Sequence, residues 1–376
     1  MKTRLFQDGD WEQFQSFAHK HFGTSHNDDR RFNEYWFKDQ SRSEWTAAVL
    51  EEPERGLAGV LMILLMPAWF AGKPVRMAWI STGVVDPAAR ARGAGASLFL
   101  WVYRTFPLVG ALSGNEFSLP INSLMGLDIP GVAMRRFVRL HDARALDLCQ
   151  ADGRARAAAC LDREVAAAGA VTARYIASPP PDLADLWTRM RARFHCTTER
   201  SAEHFIRRYA KAPYVAYRFL EMRRGERLCA FAVLRFAATP AGPVCRIVDY
   251  MADPDASADS WQAIARQVAA DGAIFSDFFV IGTAEDKALA EAGFQPADSS
   301  TGLDAVPHLL SPVEHRQWSN TFHMGGRLAK ADQSWRHPDR VYFTKGDSDR
   351  DWATPYDVAQ WKAAGAAATQ QTGRNG

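Results

Sequence analysis

The chain has 376 residues, 47% of them apolar and 23% charged, with a formal net charge of +2. That length is generous for one hydrophobic core and comfortable for two domains, and the composition is that of an ordinary globular protein. The near-balance of charge and the lack of a long Lys/Arg block give no reason to expect nucleic acid or an acidic membrane surface as the main partner.

The N-terminus, MKTRLFQDGDWEQF, lacks the apolar core of a secretory signal. DWEQFQSFAHKHF reads as a helix, followed by WTAAVLEE as a strand and EEPERG as a hairpin turn. The apolar run from Gly56 to Gly72 is nearly long enough to span a bilayer, but Pro67 interrupts it. Adjacent strands buried on both faces have the same appearance, so the run is expected to be sheet core, with no membrane insertion. VRMAWISTGVVD continues the strands, and a helix is expected from about Gly95 to Phe106. LVGALSGN then reads as a short strand, and AMRRFVRL as the strand that closes this half.

The order recurs from Arg174. DLADLWTRMRARF is an amphipathic helix, VAYRFLEMRRGERLCAFAVLRFA a hairpin turning at Arg224-Gly225, and VCRIVDYMADP a strand. A helix through SWQAIARQVAA, the strand AIFSDFFVIG and the helix AEDKALAEAGF follow. Asp86 to Gly126 and Asp253 to Gly293 are both separated by 40 positions, which supports duplication of one unit. The expected organisation is a first domain over residues 1–142, a helical Ala-rich connector over 143–172, a second domain over 173–345, and a C-terminal extension over 346–376 ending in a frayed, low-complexity tail.

Five cysteines (Cys149, Cys160, Cys196, Cys229 and Cys245) are odd in number and lack CxxC spacing. They argue against a disulfide framework and a zinc site, and fit a cytoplasmic protein; no metal site is expected.

Between Val84 and Leu100 a β-branched run passes through Asp86-Pro87 into a basic turn of small residues, just where a helix begins. Gly93 and Gly95 leave backbone N–H groups open at a helix N-terminus, where the macrodipole favours an anion. Ala91, Ala94 and Ala96 let phosphate oxygens approach, and Arg90 and Arg92 add positive charge, which makes the turn a candidate pyrophosphate seat. No GK[ST] follows and no GxGxxG is present, so it is neither a P-loop nor a dinucleotide fingerprint.

VDPAARARGAGASLF resembles motif A of the GNAT superfamily of acyl-CoA N-acyltransferases, with Val85, Pro87, Arg90, Gly93 and Gly95 on the motif positions. The later half resembles a second such unit, and the whole is similar to tandem-GNAT proteins of bacterial surface-polysaccharide loci. The fold this resemblance implies is α+β, with two tandem GNAT-like domains, each a mostly antiparallel mixed sheet flanked by helices. It also implies acetyl-CoA, or another acyl-CoA, as co-substrate, its pyrophosphate held by the amides of residues 90–96. The strand ending at Val85 would part from its neighbour, and an N–H near Val84 or Val85 would face the thioester carbonyl where charge develops. Asn122 falls where many members carry the tyrosine that protonates the departing thiolate. The second turn, ADPDASADSW, has no glycine pair and three carboxylates, which would repel a pyrophosphate, so one coenzyme site is expected.

An ammonium must lose a proton before it attacks. Glu116, in SGNEFS, and Asp249, in RIVDYMAD, are the candidates, with Tyr250 beside the latter in a possible cleft between domains. A helix-capping role for Glu116 and an ion pair from Asp249 to Arg246 or another arginine remain the alternatives. Asp347 and Asp349, in VYFTKGDSDRDW, could bind sugar hydroxyls or an ammonium, with Trp352 as a stacking face, or could simply form an Asx turn. In GTSHNDDRRFNEYWF, His26 and Tyr35 are candidates for acceptor recognition, against packing of the aromatics on the sheet. The expected acceptor is a primary amine, plausibly a free or nucleotide-linked amino sugar. An aminoacyl or peptidyl-type transferase and a non-catalytic coenzyme-binding scaffold are the competing readings.

Overall fold

The computed structural model describes residues 1–22, 29–39, 44–54, 56–112, 114, 118–124, 133–161, 169–315 and 320–372. The chain begins with β1 (Lys2–Leu5), α1 (Trp11–Phe22) and α2 (Arg30–Phe37). Strands β2 (Ala48–Glu52), β3 (Gly56–Phe70) and β4 (Lys73–Val85) form an antiparallel meander, and α3 (Ala94–Thr105), β5 (Leu108–Leu112) and α4 (Ser118–Leu124) follow. After β6 (Arg135–Leu140) come α5 (Ala151–Ala158), β7 (Val171–Ile176), α6 (Leu183–Arg191) and β8 (Cys196–Thr198). The second meander is β9 (Arg218–Arg224), β10 (Arg227–Thr239) and β11 (Gly242–Ala252), with α7 (Ser257–Ala270) and β12 (Phe275–Ile281) after it. Strands β13 (Gln295–Pro296), β14 (Phe322–Gly325) and β15 (Val341–Thr344) and helix α8 (Pro355–Thr372) complete the chain.

These fifteen strands belong to one mixed sheet, ordered β14-β5-β4-β3-β8-β15-β12-β11-β10-β9-β7, with β2 also on β3, β1 on β2, β6 on β12 and β13 on β6; Lys38–Asp39 with Glu44–Trp45, and Leu309–Leu310 with Val313–Glu314, form two separate two-stranded pairs. The α+β class is therefore as expected. The Gly56–Gly72 run is buried strand, flanked by β2 and β4 and, at its end, by β8. Hydrogen bonding on both edges explains a nearly continuous apolar stretch without a membrane. Among the described residues no helix is long and apolar enough to cross one.

The repeated order is visible in the strands. In the first half β4 pairs antiparallel with β3 and parallel with β5; in the second, β11 pairs antiparallel with β10 and parallel with β12. Both meanders carry a register shift shortly before the point where the parallel neighbour ends.

Two strands depart from the sequence expectation. Arg135–Leu140, read as closing the first half, pairs with β12 of the second, while Phe322–Gly325 crosses back to pair with β5. A buried ion pair accounts for the first placement: Arg136 donates through Nε and Nη2 to Asp277 of β12, at 3.1 and 2.9 Å. The strand β8, which sequence patterning did not pick out, lies between β3 and β15 and joins the halves into one sheet. Helix α8 also continues to Thr372 through the Ala-rich stretch expected to fray, in keeping with alanine's helix propensity.

Candidate active site

Where β4 leaves β5, the sheet opens. Their parallel register runs from Met77↔Leu108 to Ile80↔Ala111 and stops, although β4 continues to Val85. From the pair Ile63↔Ile80 to Leu61↔Gly83 there are two steps on β3 against three on β4, so β4 bulges at Ser81-Thr82. A bulge bends the strand and re-aims its backbone. The side of Ser81–Val85 that β5 vacates faces a cavity of about 840 Å³, with all five residues in its wall.

The turn after β4 forms one end of this cavity. Asp86 caps a single helical turn by accepting from Ala88 N at 2.9 Å, and Pro87 sits at the first helical position, where its missing N–H costs nothing. Gly93 then adopts φ 76° and ψ 21°, a left-handed conformation that costs a side-chain-bearing residue about 1–2 kcal/mol. It lets α3 start at once in a new direction. The first backbone bond of α3 runs from Ser97 N to Gly93 O, 3.0 Å, which leaves the amides of Ala94, Gly95 and Ala96 without a backbone acceptor among the described residues. Arg90, Gly93, Gly95 and Ala96 line the cavity.

The expected seat is accordingly narrower than residues 90–96. The amides of Arg92 and Gly93 close the turn onto Ala89 O and Arg90 O, at 3.1 and 3.0 Å. The Arg92 side chain pairs with Glu52, away from the cavity, and Ala94 is fully buried. Arg90 holds the remaining position, with Nε donating to Val85 O at 3.2 Å.

The opposite wall is built by α4 and by a segment far along the chain. Asn122 is 2% exposed, lines the cavity, and its Oδ1 has no hydrogen-bond partner among the described residues. Asp349 enters from the turn after β15 and accepts from Ser81 Oγ at 2.9 Å. Arg350 follows, with Nη2 donating to Leu112 O at 3.3 Å. Burial pushes the Asp349 carboxyl above its usual range, against the opposing pull of Arg350 and the Ser81 hydrogen bond. His21, at the end of α1, also lines the cavity, and burial lowers its imidazole.

The other candidates lie elsewhere. Glu116 and His26 fall outside the described residues. Asp249 is fully buried and carries four donors: Arg200 Nε at 3.0 Å, Tyr209 OH at 2.9 Å, Tyr250 N at 2.8 Å and Thr344 Oγ1 at 3.2 Å. It is a structural carboxylate, and its partner is Arg200 instead of Arg246. Asp347 binds the same guanidinium at 2.7 Å, so neither carboxylate is available to a substrate. His204 brings a ring nitrogen within 4.8 Å of both, but Arg200 already pairs with the two carboxylates. Tyr250 is fully buried against Trp261. The Tyr35 hydroxyl donates to the Arg207 carbonyl outside the large cavity, and burial raises it to about 12. Trp352 packs edge-on against Phe32, Trp36 and Phe37.

The corresponding opening in the second half is filled by the chain itself. β15 pairs with the end of β12, Tyr342 OH donates to Tyr250 O at 2.7 Å, and Thr344 reaches Asp249. Ser81, Arg350 and His21 among the cavity residues had no signal in the sequence; Asp349 was visible as part of a carboxylate cluster, though not its place.

No protein-family model matches the chain, and no curated protein matches it in sequence. Solved structures do match in shape. A GCN5-related N-acetyltransferase from Anabaena variabilis ATCC 29413 superposes with a TM-score of 0.56 at 13% identity, over 86% of this chain and 72% of that one. A conserved protein of unknown function from Enterococcus faecalis V583, described as a probable N-acyltransferase, gives 0.55 at 10%, over 86% and 71%. Saccharomyces cerevisiae N-myristoyltransferase with bound myristoyl-CoA and inhibitors gives 0.50 at 11%, over 86% and 79%. At these identities the chain shares with them a fold, built here on a large mixed sheet.

Proposed function

We propose that the chain is an acyl-CoA-dependent N-acyltransferase of tandem GNAT-like architecture, using one coenzyme site in its first half. The observation that carries this reading is the cavity of about 840 Å³ between β4 and β5, lined both by the start of α3 and by the half-buried carboxylate of Asp349. The amides of Gly95 and Ala96, with Arg90, would hold the pyrophosphate. The vacated edge of Ser81–Val85 would pair with the pantetheine arm, and a fixed backbone donor there would stabilise negative charge developing on the thioester oxygen. Acetyl-CoA, or a longer acyl-CoA, supplies the acyl group.

Asp349 is the base in this reading. Its raised carboxyl is better matched to an ammonium than an ordinary aspartate, because a catalytic base works best when its pKa lies near the operating pH. It takes the proton from the ammonium, the amine attacks the thioester carbonyl, and the carbon–sulfur bond breaks as the thiolate leaves. Asn122 borders the cavity and could orient either reactant.

The acceptor is a primary amine, with an amino sugar for a surface polysaccharide as the class suggested by the sequence resemblance. Five buried cysteines that form no disulfide among the described residues favour a cytoplasmic setting. Thermal denaturation with acetyl-CoA tests the reading directly: ligand at 100 times its Kd should stabilise the fold by about 2.7 kcal/mol. No shift at millimolar acetyl-CoA, together with no release of coenzyme A thiol on an amine panel, would refute it.

A further inference from the structure

A second, smaller cavity of about 30 Å³ lies beside the first, and Arg350 is in the wall of both. It is bounded by Met134, Phe279 and Leu309 and by the polar side chains of His308, Lys345 and Arg350. No carboxylate lines it among the described residues. Its volume suits about two water-sized groups, which is the scale of a carboxylate.

The charges behind this cavity do not balance. Arg136 of β6 and Arg246 of β11 are 4% and 3% exposed, and both bind the one carboxylate of Asp277, itself fully buried. Their other donors are met by neutral carbonyls: Arg136 by Val306 and Pro307, Arg246 by His308. Lys345 adds a third cationic group, 7% exposed, with Nζ 4.1 Å from the centroid of the Phe279 ring. Its Nζ makes no hydrogen bond or ion pair among the described residues. The nearest further carboxylate on this side, Asp351, is engaged by Tyr217 OH at 2.8 Å and by Arg235 at 3.5 Å. Buried charges in folded proteins are ordinarily matched and hydrogen-bonded. Here two guanidinium groups share one carboxylate, and the Lys345 amine faces the void beside them.

We propose that this cavity is an acceptor subsite for a carboxylate, so that the substrate is an amine that also carries a carboxylate group, held by Lys345 and His308 with Arg350 between it and the thioester site. The inference rests on the acyltransferase reading for the identity of the amine, but the anion site stands on its own geometry. Without an anion, burial drives Lys345 below its usual range, and burial, with Arg136 and Lys345, lowers His308 to about 3. An arriving carboxylate would allow Lys345 to protonate and would complete a charge-assisted hydrogen bond.

The test uses the full chain with glycine, 4-aminobutanoate and 6-aminohexanoate, their carboxamides, glucosamine, and acetate alone. Thermal denaturation with each compound reads binding independently of any donor, and thiol release with acetyl-CoA reads turnover. At least one aminocarboxylate is expected to bind tenfold or more tightly than its carboxamide, about 1.4 kcal/mol. Lys345→Met should erase that preference and His308→Gln should reduce it, with stabilisation by acetyl-CoA unchanged in both. Without ligand, Lys345→Met should melt no lower than the parent, because it removes a buried amine; should it unfold, His308→Gln carries the test. The proposal is overturned if no aminocarboxylate exceeds its amide, if the preference survives Lys345→Met, or if acetate alone binds as well as every aminocarboxylate. Failure of the acyltransferase reading looks different: aminocarboxylate preference intact, with neither acetyl-CoA binding nor thiol release.

Discussion

Asp349→Asn is the most direct probe of the catalytic assignment. The amide keeps an oxygen for the 2.9 Å bond from Ser81 Oγ but cannot accept a proton from an ammonium. A positioned base contributes about 10²–10⁴-fold, equivalent to about 3–5 kcal/mol at 1.36 kcal/mol per tenfold. The expected result is a loss of that size in kcat, with acetyl-CoA affinity little changed. The parent rate should rise with pH through the elevated carboxyl pKa and level off above it, and this limb should disappear in the variant. Stability supplies an independent check. Burial raises the Asp349 carboxyl above its unfolded value. Its contribution to stability is therefore fully present below the usual carboxylate range and is lost as pH rises through the folded value. Asparagine abolishes this loss, so the variant should melt at or above the parent temperature at pH 8 and lose any advantage at pH 4. Turnover within threefold of the parent at saturating substrate, or a clear drop in melting temperature at pH 8, would refute the reasoning.

The remaining predictions separate the coenzyme seat from its surroundings. Arg90→Glu should weaken acetyl-CoA binding about tenfold or more by isothermal titration, whereas Arg92→Gln, whose parent side chain pairs with Glu52, should leave it within about twofold. Gly93→Ala has open space for its methyl but a φ of 76°, so it should cost about 1–2 kcal/mol in urea denaturation and also impair acetyl-CoA binding as the helix start shifts. Arg200→Met leaves Asp249 and Asp347 buried without their shared cation and should destabilise the chain by about 3–5 kcal/mol; normal stability would show that this cluster is not structural.

The local parts of the fold were legible because their signals are local. The turn after Val85, the helix that begins near Gly95 and the apolar runs of the meander strands each appear where expected. The glycine pair and small residues also pointed to a turn that lines the large cavity, though the sequence could not say which arginine would face it. That choice depends on Glu52, which lies 40 residues from Arg92. The pairing of Ser81 with Asp349 spans 268 residues, and no periodicity carries such information. The misplacement of Arg135–Leu140 has the same origin. Its alternating pattern fits either half, and only the meeting of Arg136 with Asp277, 141 residues away, decides between them. Asp249 misled for a related reason: a carboxylate at a strand end in a repeated unit suggests chemistry until its four hydrogen-bond donors are counted.

The exchange of β6 and β14 between the two halves affects how the molecule is made. A ribosome that has released the first 142 residues has delivered the glycine turn but not the edge strand at Phe322–Gly325 that covers β5, nor the carboxylate at position 349. At about 5–20 residues per second these arrive roughly 10–40 seconds later. During that interval β5 has an uncovered edge, and β6 waits for a neighbour that has not been translated. A chain cut short by translational arrest would therefore carry the glycine turn without the carboxylate that closes the cavity beside it, and with the edge of β5 bare.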